Sequence, residues 1–263
     1  MISTTLVKLP HPQRRIGVLV MTISLGIASA FTHLTSNAQE PQGMNTHNPE
    51  HTHAQSLSAR QQAIVPIAAF ASAGEIAKLN TALESGLDAG LTISDAQEIL
   101  IQLYAYAGFP RSLNALGELM KVVNARKARG IHDAPGQAPS RPIPQGDALL
   151  AAGTANQTKL AGGPVGGPLF EFAPTANDYL RTHLFGDIFE RDNLDWQSRE
   201  LATVAMLSAI TGADSQLQAH MKISMNVGLS ADQLRQLGHV LAERVDVAYA
   251  DRAREALERH LAQ

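Results

Sequence analysis

Residues 201–210 constrain this chain most, because they form a run that is apolar on nearly every side when it is drawn as a helix. A helix without a polar face must be surrounded by other elements, so the run predicts the central helix of a multi-helix core. Asp195 is placed to cap the start of this helix and Gly212 to close it. Its apolar members are Leu201, Ala202, Val204, Ala205, Met206, Leu207, Ala209 and Ile210.

Composition supports a helical fold and excludes one class of partner. The 263 residues are 44% hydrophobic, which is enough to bury a core in one or two domains. Aromatic residues make up only 5% of the chain, and Ala and Leu dominate, which favours packed helices over sheets. The formal net charge is -3, and the sequence contains no block of basic residues, so nucleic acid is not an expected partner.

The chain contains no cysteine. Disulfides, thiolate metal sites, thiol peroxidase chemistry and a lipoprotein anchor all require that sulfur, so the sequence excludes each of them.

The N-terminal region is typical of a targeting segment. Lys8, Arg14 and Arg15 give a basic start, residues 16–34 are nearly uncharged, and a small-residue cleavage site follows. We therefore predict a signal peptide at 1–38, a periplasmic or secreted location, and no stable membrane insertion after cleavage. An uncleaved anchor is the alternative reading of residues 16–34, since the run is nearly long enough to span a bilayer.

Residues 39–58 are polar and are predicted to form a disordered, His-rich tail. The spacing of His47, His51 and His53 offers enough imidazoles for a divalent metal. A tail without residues to orient those ligands is not expected to form a specific metal site, so the sequence predicts none.

The rest of the chain divides into three parts. Residues 59–130 are predicted to form a first helical unit, in which Ser94 and Gln97 make a capping-box pattern. Residues 131–175 are rich in Pro and Gly and are predicted to be a long, mostly irregular connection, of the kind that is functional or wraps a neighbour. Residues 176–263 are predicted to form a second helical unit.

The two helical units share a helix–turn–helix pattern. Gly90-Leu91-Thr92 in the first matches Gly228-Leu229-Ser230 in the second, with Gly suited to the left-handed conformation that ends a helix. Ser230 and Gln233 form another capping-box pattern. The pattern is common by chance, but the flanking helical segments agree, so we predict two fused copies of one unit.

Several motifs together resemble the carboxymuconolactone decarboxylase family, within the alkylhydroperoxidase D-like superfamily. The resemblance covers about residues 59–118 and 179–242, most of the chain after the predicted signal peptide. It implies an all-α fold of short helices and a homo-oligomer, here a dimer or trimer of two-unit chains. The motifs are the runs 104–116 (YAYAGFPRSLNAL), 199–205 (RELATVA), 212–220 (GADSQLQAH) and 228–230 (GLS).

The family has two chemical branches. One uses a Cys-x-x-Cys-x-x-x-His motif with an upstream Glu, and the aligned positions here hold Ala213, Gln216 and His220, with Glu200 upstream. Because both thiols are missing, a peroxidase or peroxiredoxin activity implied by that branch lacks its nucleophile. The pattern is closer to the decarboxylase branch, which acts on a carboxylated muconolactone, although that reaction is normally cytoplasmic.

His220 and Glu200 are the candidate catalytic residues. A neutral imidazole can take or give a proton near pH 7, as lactone opening or decarboxylation through an enol requires. Glu200 would orient His220 or act as its proton partner. The alternative readings are a structural histidine at a unit interface and a first-turn carboxylate that pairs with Arg199.

Arg111, Asn114 and Gln216 are the candidate substrate-binding residues. The planar guanidinium of Arg111 suits a substrate carboxylate, although it would equally serve to join the two units. Asn114 lies one helical turn further on and shares that alternative. Gln216 is a weaker candidate, because polar residues are ordinary in the first turn of a helix.

The sequence therefore predicts a decarboxylase-like enzyme or lyase acting on a small carboxylated or lactone-like organic acid. No cofactor is expected if the substrate itself stabilises the carbanion as an enolate. The first unit has Ala82 where the second has His220, so only the second unit would be catalytic. The alternative function is a non-catalytic member of the fold that binds a small ligand or a partner, with the Pro/Gly-rich connection as its recognition surface.

Overall fold

The structure is a computed structural model that describes residues 56–263. The predicted signal peptide at 1–38, most of the predicted tail, and His47, His51 and His53 lie outside the described residues. Within the described part the chain forms eleven α-helices and one π-helix, with no strand, which confirms the predicted all-α fold. None of the helices in residues 56–263 is long and apolar enough to cross a membrane.

The first half of the described chain consists of four helices. The fourth contains a kink at Gly108 (φ 81°), followed by Pro110, so it is two helical pieces in sequence. Ser58 caps the first helix in a capping box with Gln61. The four helices are α1 Ala59–Ala73, α2 Ile76–Asp88, α3 Ile93–Gln102 and α4 Tyr104–Ala128.

The capping box predicted from Ser94 and Gln97 is wrong by two residues. Thr92 caps α3, and its side chain accepts a hydrogen bond from the backbone N–H of Asp95, whose carboxylate accepts one from the N–H of Thr92. Ser94 lies inside the helix, and its hydroxyl donates to the carbonyl of Gln137 at 2.6 Å. The sequence contains two overlapping capping-box patterns. The one that begins at Thr92 forms, because its side chains accept hydrogen bonds from the backbone N–H groups of both Thr92 and Asp95.

The prediction of a mostly irregular connection at 131–175 needs correction. Its prolines lie in the flanks, and the stretch between them contains no proline and folds as a 15-residue helix. Two short helices and the π-helix follow, so this part of the chain is a folded insert. These elements are α5 Asp147–Ala161, α6 Pro168–Phe172, α7 Pro174–Tyr179 and the π-helix Leu180–Ile188.

The second half consists of four helices, and two of them begin at the predicted caps. Asp195 caps the central helix by accepting a hydrogen bond from the N–H of Ser198 at 2.8 Å. Ser230 and Gln233 form the predicted capping box. The helices are α8 Trp196–Ala209, α9 Asp214–Asn226, α10 Ala231–Arg244 and α11 Val247–Leu261.

The core is built around α1 and α8, which make the most extensive helix–helix contact in the described chain. Residues 63–72 of α1 and 198–208 of α8 are all buried, which confirms the predicted central helix. Gly90 (φ 92°) and Gly228 (φ 98°) both adopt the left-handed conformation predicted for them. Each half contains four consecutive helices, and the origin of the halves as two fused units stays a prediction.

The folded insert packs against the second half. The face of α9 that carries His220 continues to Ile223, which joins the buried side chains of α5 and the π-helix in a second apolar cluster. The side-chain amide of Asn226 donates to the carbonyl of Leu160 at 2.9 Å and ties the end of α9 to α5. The insert therefore covers this face of α9 beyond His220.

A buried ion cluster joins the two halves. The carboxylate of Glu98, on α3, accepts hydrogen bonds from Arg199 of α8 at 2.9 Å and from Arg191 at 2.6 Å. The Asn193 amide adds a third donor at 3.0 Å. Burial by itself would raise the pKa of Glu98, but the hydrogen bonds from Arg191, Asn193 and Arg199 outweigh it and hold that pKa below its usual value.

The substitution Glu98→Gln should lower the free energy of unfolding by about 3 kcal/mol, because it leaves the fully buried Arg199 without its counter-charge. Urea unfolding at neutral pH measures this loss. The matched control Asp232→Asn removes an exposed ion pair with Arg235 and should cost less than about 1 kcal/mol. Equal losses in the two variants would contradict the structural role of Glu98.

The same substitution should also change the pH dependence of stability. Because the folded-state pKa of Glu98 is lowered, its contribution is present above the unfolded-state pKa, about 4.3, and is lost as the pH falls through the folded-state pKa. The difference in unfolding free energy between the wild type and Glu98→Gln should therefore shrink as the solution is acidified below that value.

The substitution Gly153→Ala should separate α5 from the π-helix. A Cβ atom at Gly153 would lie 1.9 Å from the backbone carbonyl oxygen of Arg181, so the two elements would have to move apart. We expect a loss of roughly 1–3 kcal/mol, measured by urea unfolding. Gly163→Ala is the control, since a Cβ there has no other atom within 4 Å. A Gly153→Ala protein as stable as this control would contradict the close packing.

Candidate functional site

A buried carboxylate–imidazole pair lies between α8 and α9. The Oε2 atom of Glu200 is 2.7 Å from Nδ1 of His220. Glu200 is fully buried and His220 is 7% exposed. The two helices pack together, which brings the first turns of α8 beside the middle of α9. The structure thus places both predicted catalytic residues in direct contact.

This contact distinguishes the two nitrogens of His220. Since Nδ1 is occupied by the carboxylate, Nε2 is the nitrogen left for a further partner. Nε2 forms no hydrogen bond within residues 56–263. It is also not fully buried, since it is absent from the buried atoms that lack a partner. The arrangement therefore leaves Nε2 free to exchange a proton while Glu200 holds the ring through Nδ1.

Two buried oxygen atoms, one in this pair and one elsewhere on α9, have no hydrogen-bond partner among the described residues. They are Oε1 of Glu200 and Oγ of Ser224, which lies one turn after His220 on α9. Buried polar atoms are nearly always paired, and exceptions are found at catalytic or ligand sites. The pair is thus placed in a polar environment that the fold leaves incomplete.

Tyr106 completes the surroundings of His220. Its ring meets the imidazole edge to face, with the ring centroids 5.7 Å apart. Its hydroxyl lies 3.3 Å from Oγ1 of Thr203, on α8. Burial, and then the nearby charge of Glu200, raise the pKa of Tyr106 well above its ordinary value. Tyr106 therefore keeps its phenolic proton.

A chain of buried hydrogen bonds continues from Tyr106 to the ion cluster. The side-chain amide of Gln102 donates to Oγ1 of Thr203 at 2.6 Å and to the backbone carbonyl of Arg199 at 3.0 Å. Tyr106 and Gln102 belong to the first half, and Glu200, His220 and Thr203 to the second. The site is consequently assembled from helices of both halves.

Arg111 does not join the pair but lines a neighbouring cavity of about 450 Å³. Its guanidinium donates to the backbone carbonyl of Ser72, at the end of α1. Tyr106 lines the same cavity, together with Thr211 and Tyr249. Arg111 is thus partly engaged in joining α4 to α1 within the first half, and its side chain also borders an opening next to Tyr106.

Asn114 and Gln216 lie on the surface. Both are exposed, and the only hydrogen bond that the described residues provide to the side chain of Gln216 comes from the hydroxyl of Ser215. Neither side chain forms a hydrogen bond with the side chain of Glu200 or His220. Among residues 56–263, no group of three or more His, Asp or Glu side chains is placed to hold a metal ion.

The sequence interpretation missed Tyr106, Thr203 and Gln102. Tyr106 lies in the run 104–116 that carried part of the resemblance, two residues before the kink at Gly108. The signal available was a tyrosine next to a helix break in that run. Its contact with His220 depends on how α4 packs against α8, which no local pattern reports.

Tyr106 should not ionise in the folded protein at an alkaline pH that ionises ordinary tyrosines. We expect native Tyr106→Phe and wild type to give the same tyrosinate absorbance up to about pH 11, one unit above the usual tyrosine pKa. In concentrated urea all four tyrosines of the wild type should titrate, so the variant should lose about a quarter of the signal. A native wild type that gives more tyrosinate than the variant would contradict the raised pKa of Tyr106.

The comparisons with known proteins identify one family. A search of curated proteins found no match. Residues 174–259 match the model of the carboxymuconolactone decarboxylase family. The matched segment runs from α7 into α11 and contains both Glu200 and His220. Together with the all-α fold, this match shows that the chain carries a domain of the carboxymuconolactone decarboxylase family at residues 174–259.

Proposed function

We propose that this protein is a decarboxylase-like enzyme that acts on a small carboxylated or lactone-like organic acid. His220 serves as its general acid and base, and Glu200 is the partner of His220. The observation that carries the proposal is the buried contact of 2.7 Å between Glu200 Oε2 and His220 Nδ1. Membership of residues 174–259 in the family supports the reaction class.

The reaction uses the free nitrogen of His220. The bond between the substrate carbon and its carboxylate breaks, CO2 leaves, and the electron pair passes to the neighbouring carbonyl group as an enolate. The imidazolium then donates the proton on Nε2 to that carbon, and the ring regains a proton from solvent. With a substrate that stabilises its own carbanion, these steps need no further electron acceptor.

Glu200 acts on His220 in two ways. Its carboxylate holds the ring through Nδ1, which leaves Nε2 directed to the reacting atoms. Its negative charge also stabilises the imidazolium that must form before the proton is donated. The Oε1 atom of Glu200 is buried without a hydrogen-bond donor among the described residues.

The cavity of about 450 Å³ is the proposed subsite for an unreactive part of the substrate. Arg111 borders it with N–H groups that can bind a second carboxylate or a lactone carbonyl. Tyr106 lines the same cavity and contacts His220, so it connects the two parts of the site. A dicarboxylic or keto acid would match this pair of positions.

The setting of the reaction is also proposed from the sequence. The predicted signal peptide supports a periplasmic or secreted enzyme, and the family resemblance supports a homo-oligomer of two-unit chains. Neither is needed for the chemistry at His220.

One observation favours a second candidate function, that of a ligand-binding protein without catalysis. His220 is only 7% exposed, and the folded insert packs on the same face of α9. A site so enclosed would suit binding as well as turnover. The two functions are separated by whether any substrate is consumed.

The substitution His220→Gln should reduce kcat by a factor of about 10² to 10⁴, because it removes the group that donates the proton. The measurement is CO2 release by purified protein on a panel of β-keto acids and carboxylated lactones. Glu200→Gln should lower kcat less, by about tenfold to a hundredfold, since it acts through His220.

His183→Gln is the matched control, because this histidine is exposed on the π-helix and contacts Asp187 and the ring of Tyr179, away from Glu200 and His220. It should keep wild-type turnover. Equal activity of the His220→Gln and His183→Gln proteins would remove His220 from the mechanism. No turnover of any panel member by the wild type would favour the ligand-binding function.

A further inference from the structure

A second cavity lies mainly against the first half, away from His220. It has a volume of about 790 Å³ and is bordered by α1, α2 and the end of α10. Its floor is apolar and includes Pro66, Phe70 and Ala82. A concave, mainly apolar space of this size is typical of a site for a small organic molecule.

This cavity occupies the position in the first half that the His220 site occupies in the second. Ala82 lies eight residues before Gly90, and His220 lies eight residues before Gly228. Both glycines end their helix in the left-handed conformation, which supports this alignment.

The other members of the His220 site also have counterparts. Gln62 lies twelve residues before Gly74, as Glu200 does before Gly212, and both of these glycines have positive φ. Arg244 lies fourteen residues after its capping residue Ser230, as Tyr106 does after Thr92. Gln62, Ala82 and Arg244 all line the cavity.

The replacements remove proton transfer but keep space for a ligand. Neither the amide of Gln62 nor the methyl group of Ala82 can exchange a proton near neutral pH. The folded insert covers the face of α9 beyond His220, whereas the corresponding face of α2 borders the open cavity. The first-half position is therefore suited to binding without reaction.

Arg244 gives the cavity a charge preference. Its guanidinium donates to the side-chain oxygen of Gln62 at 3.2 Å and forms no ion pair within residues 56–263. Lys78 also lines the rim but is paired with Glu75 at 2.5 Å. Glu243, the other charged residue at the rim, is exposed. Arg244 is thus the group available to a ligand carboxylate.

We propose that this cavity is a second, non-catalytic binding site for a small monocarboxylic acid with an aromatic or aliphatic body. The apolar part of the ligand lies on Pro66, Phe70 and Ala82, and its carboxylate accepts hydrogen bonds from Arg244. The site does not depend on His220, so it exists whether or not the protein is an enzyme.

Isothermal titration calorimetry with phenylacetate, and with its neutral analogue phenylacetamide, tests this proposal on the purified protein. Ser85→Trp should abolish phenylacetate binding, because Ser85 lines the cavity from an exposed position where a large side chain fills the space without disturbing the core. Met120→Trp is the matched control. It places the same side chain at an exposed position of α4 outside the cavity and should bind as the wild type does.

A charge test separates this site from non-specific adsorption. Arg244→Gln should weaken phenylacetate binding by about tenfold or more and leave phenylacetamide binding unchanged, because only the carboxylate uses the guanidinium. Thermal unfolding of each variant confirms that it is folded before the titration.

His220→Gln should retain wild-type affinity for phenylacetate, which separates this proposal from the proposed function. Loss of binding in His220→Gln, unchanged binding in Ser85→Trp, or unchanged phenylacetate affinity in Arg244→Gln would each overturn the second site. The absence of saturable phenylacetate binding to the wild type would also overturn it. None of these outcomes bears on turnover at His220, which is measured by CO2 release.

Discussion

The buried contact between Glu98 and Arg199 is the interaction on which the rest of this structure depends. It joins α3 of the first half to α8 of the second at a depth where neither charge reaches water. An unpaired charge in such a position is very costly, so the two halves are held in one relative arrangement. Arg199 directly precedes Glu200 in α8, and its backbone carbonyl accepts from Gln102. The ion pair thus also positions the helix turn that carries the candidate catalytic carboxylate.

This arrangement explains why the site needs both halves of the chain. The second half contributes Glu200 and His220, and the first contributes Tyr106, which arrives through the kinked α4. The insert then closes the same face of α9 with α5 and the π-helix. The corresponding face of α2 has no such cover and borders an open cavity instead. The two halves therefore differ at these faces, since the one that contains Glu200 and His220 is enclosed and the one at Ala82 is open.

Much of the fold followed from local patterns, and the misses have local causes too. The apolar run at 201–210 required a central helix, and α8 is that helix. The frequency of proline and glycine led to the wrong prediction that residues 131–175 are mostly irregular, because the prolines flank α5 and do not interrupt it. Of the candidate site residues, the structure brings His220 and Glu200 into contact, because the helices that carry them, α9 and α8, pack together. Asn114 and Gln216 are exposed, since their helices turn those positions to the surface.

The sequence by itself determined the all-helical class, the central helix, the caps at Asp195 and Ser230, and the absence of thiol chemistry. These depend on composition and on intervals of a few residues, which a linear chain contains in full. Only the tertiary structure decided that Tyr106 meets His220, that Arg199 is neutralised by Glu98, and that the face at Ala82 is open. The two contacts join residues that are distant in the chain. All three features arise from how whole helices pack around α1 and α8.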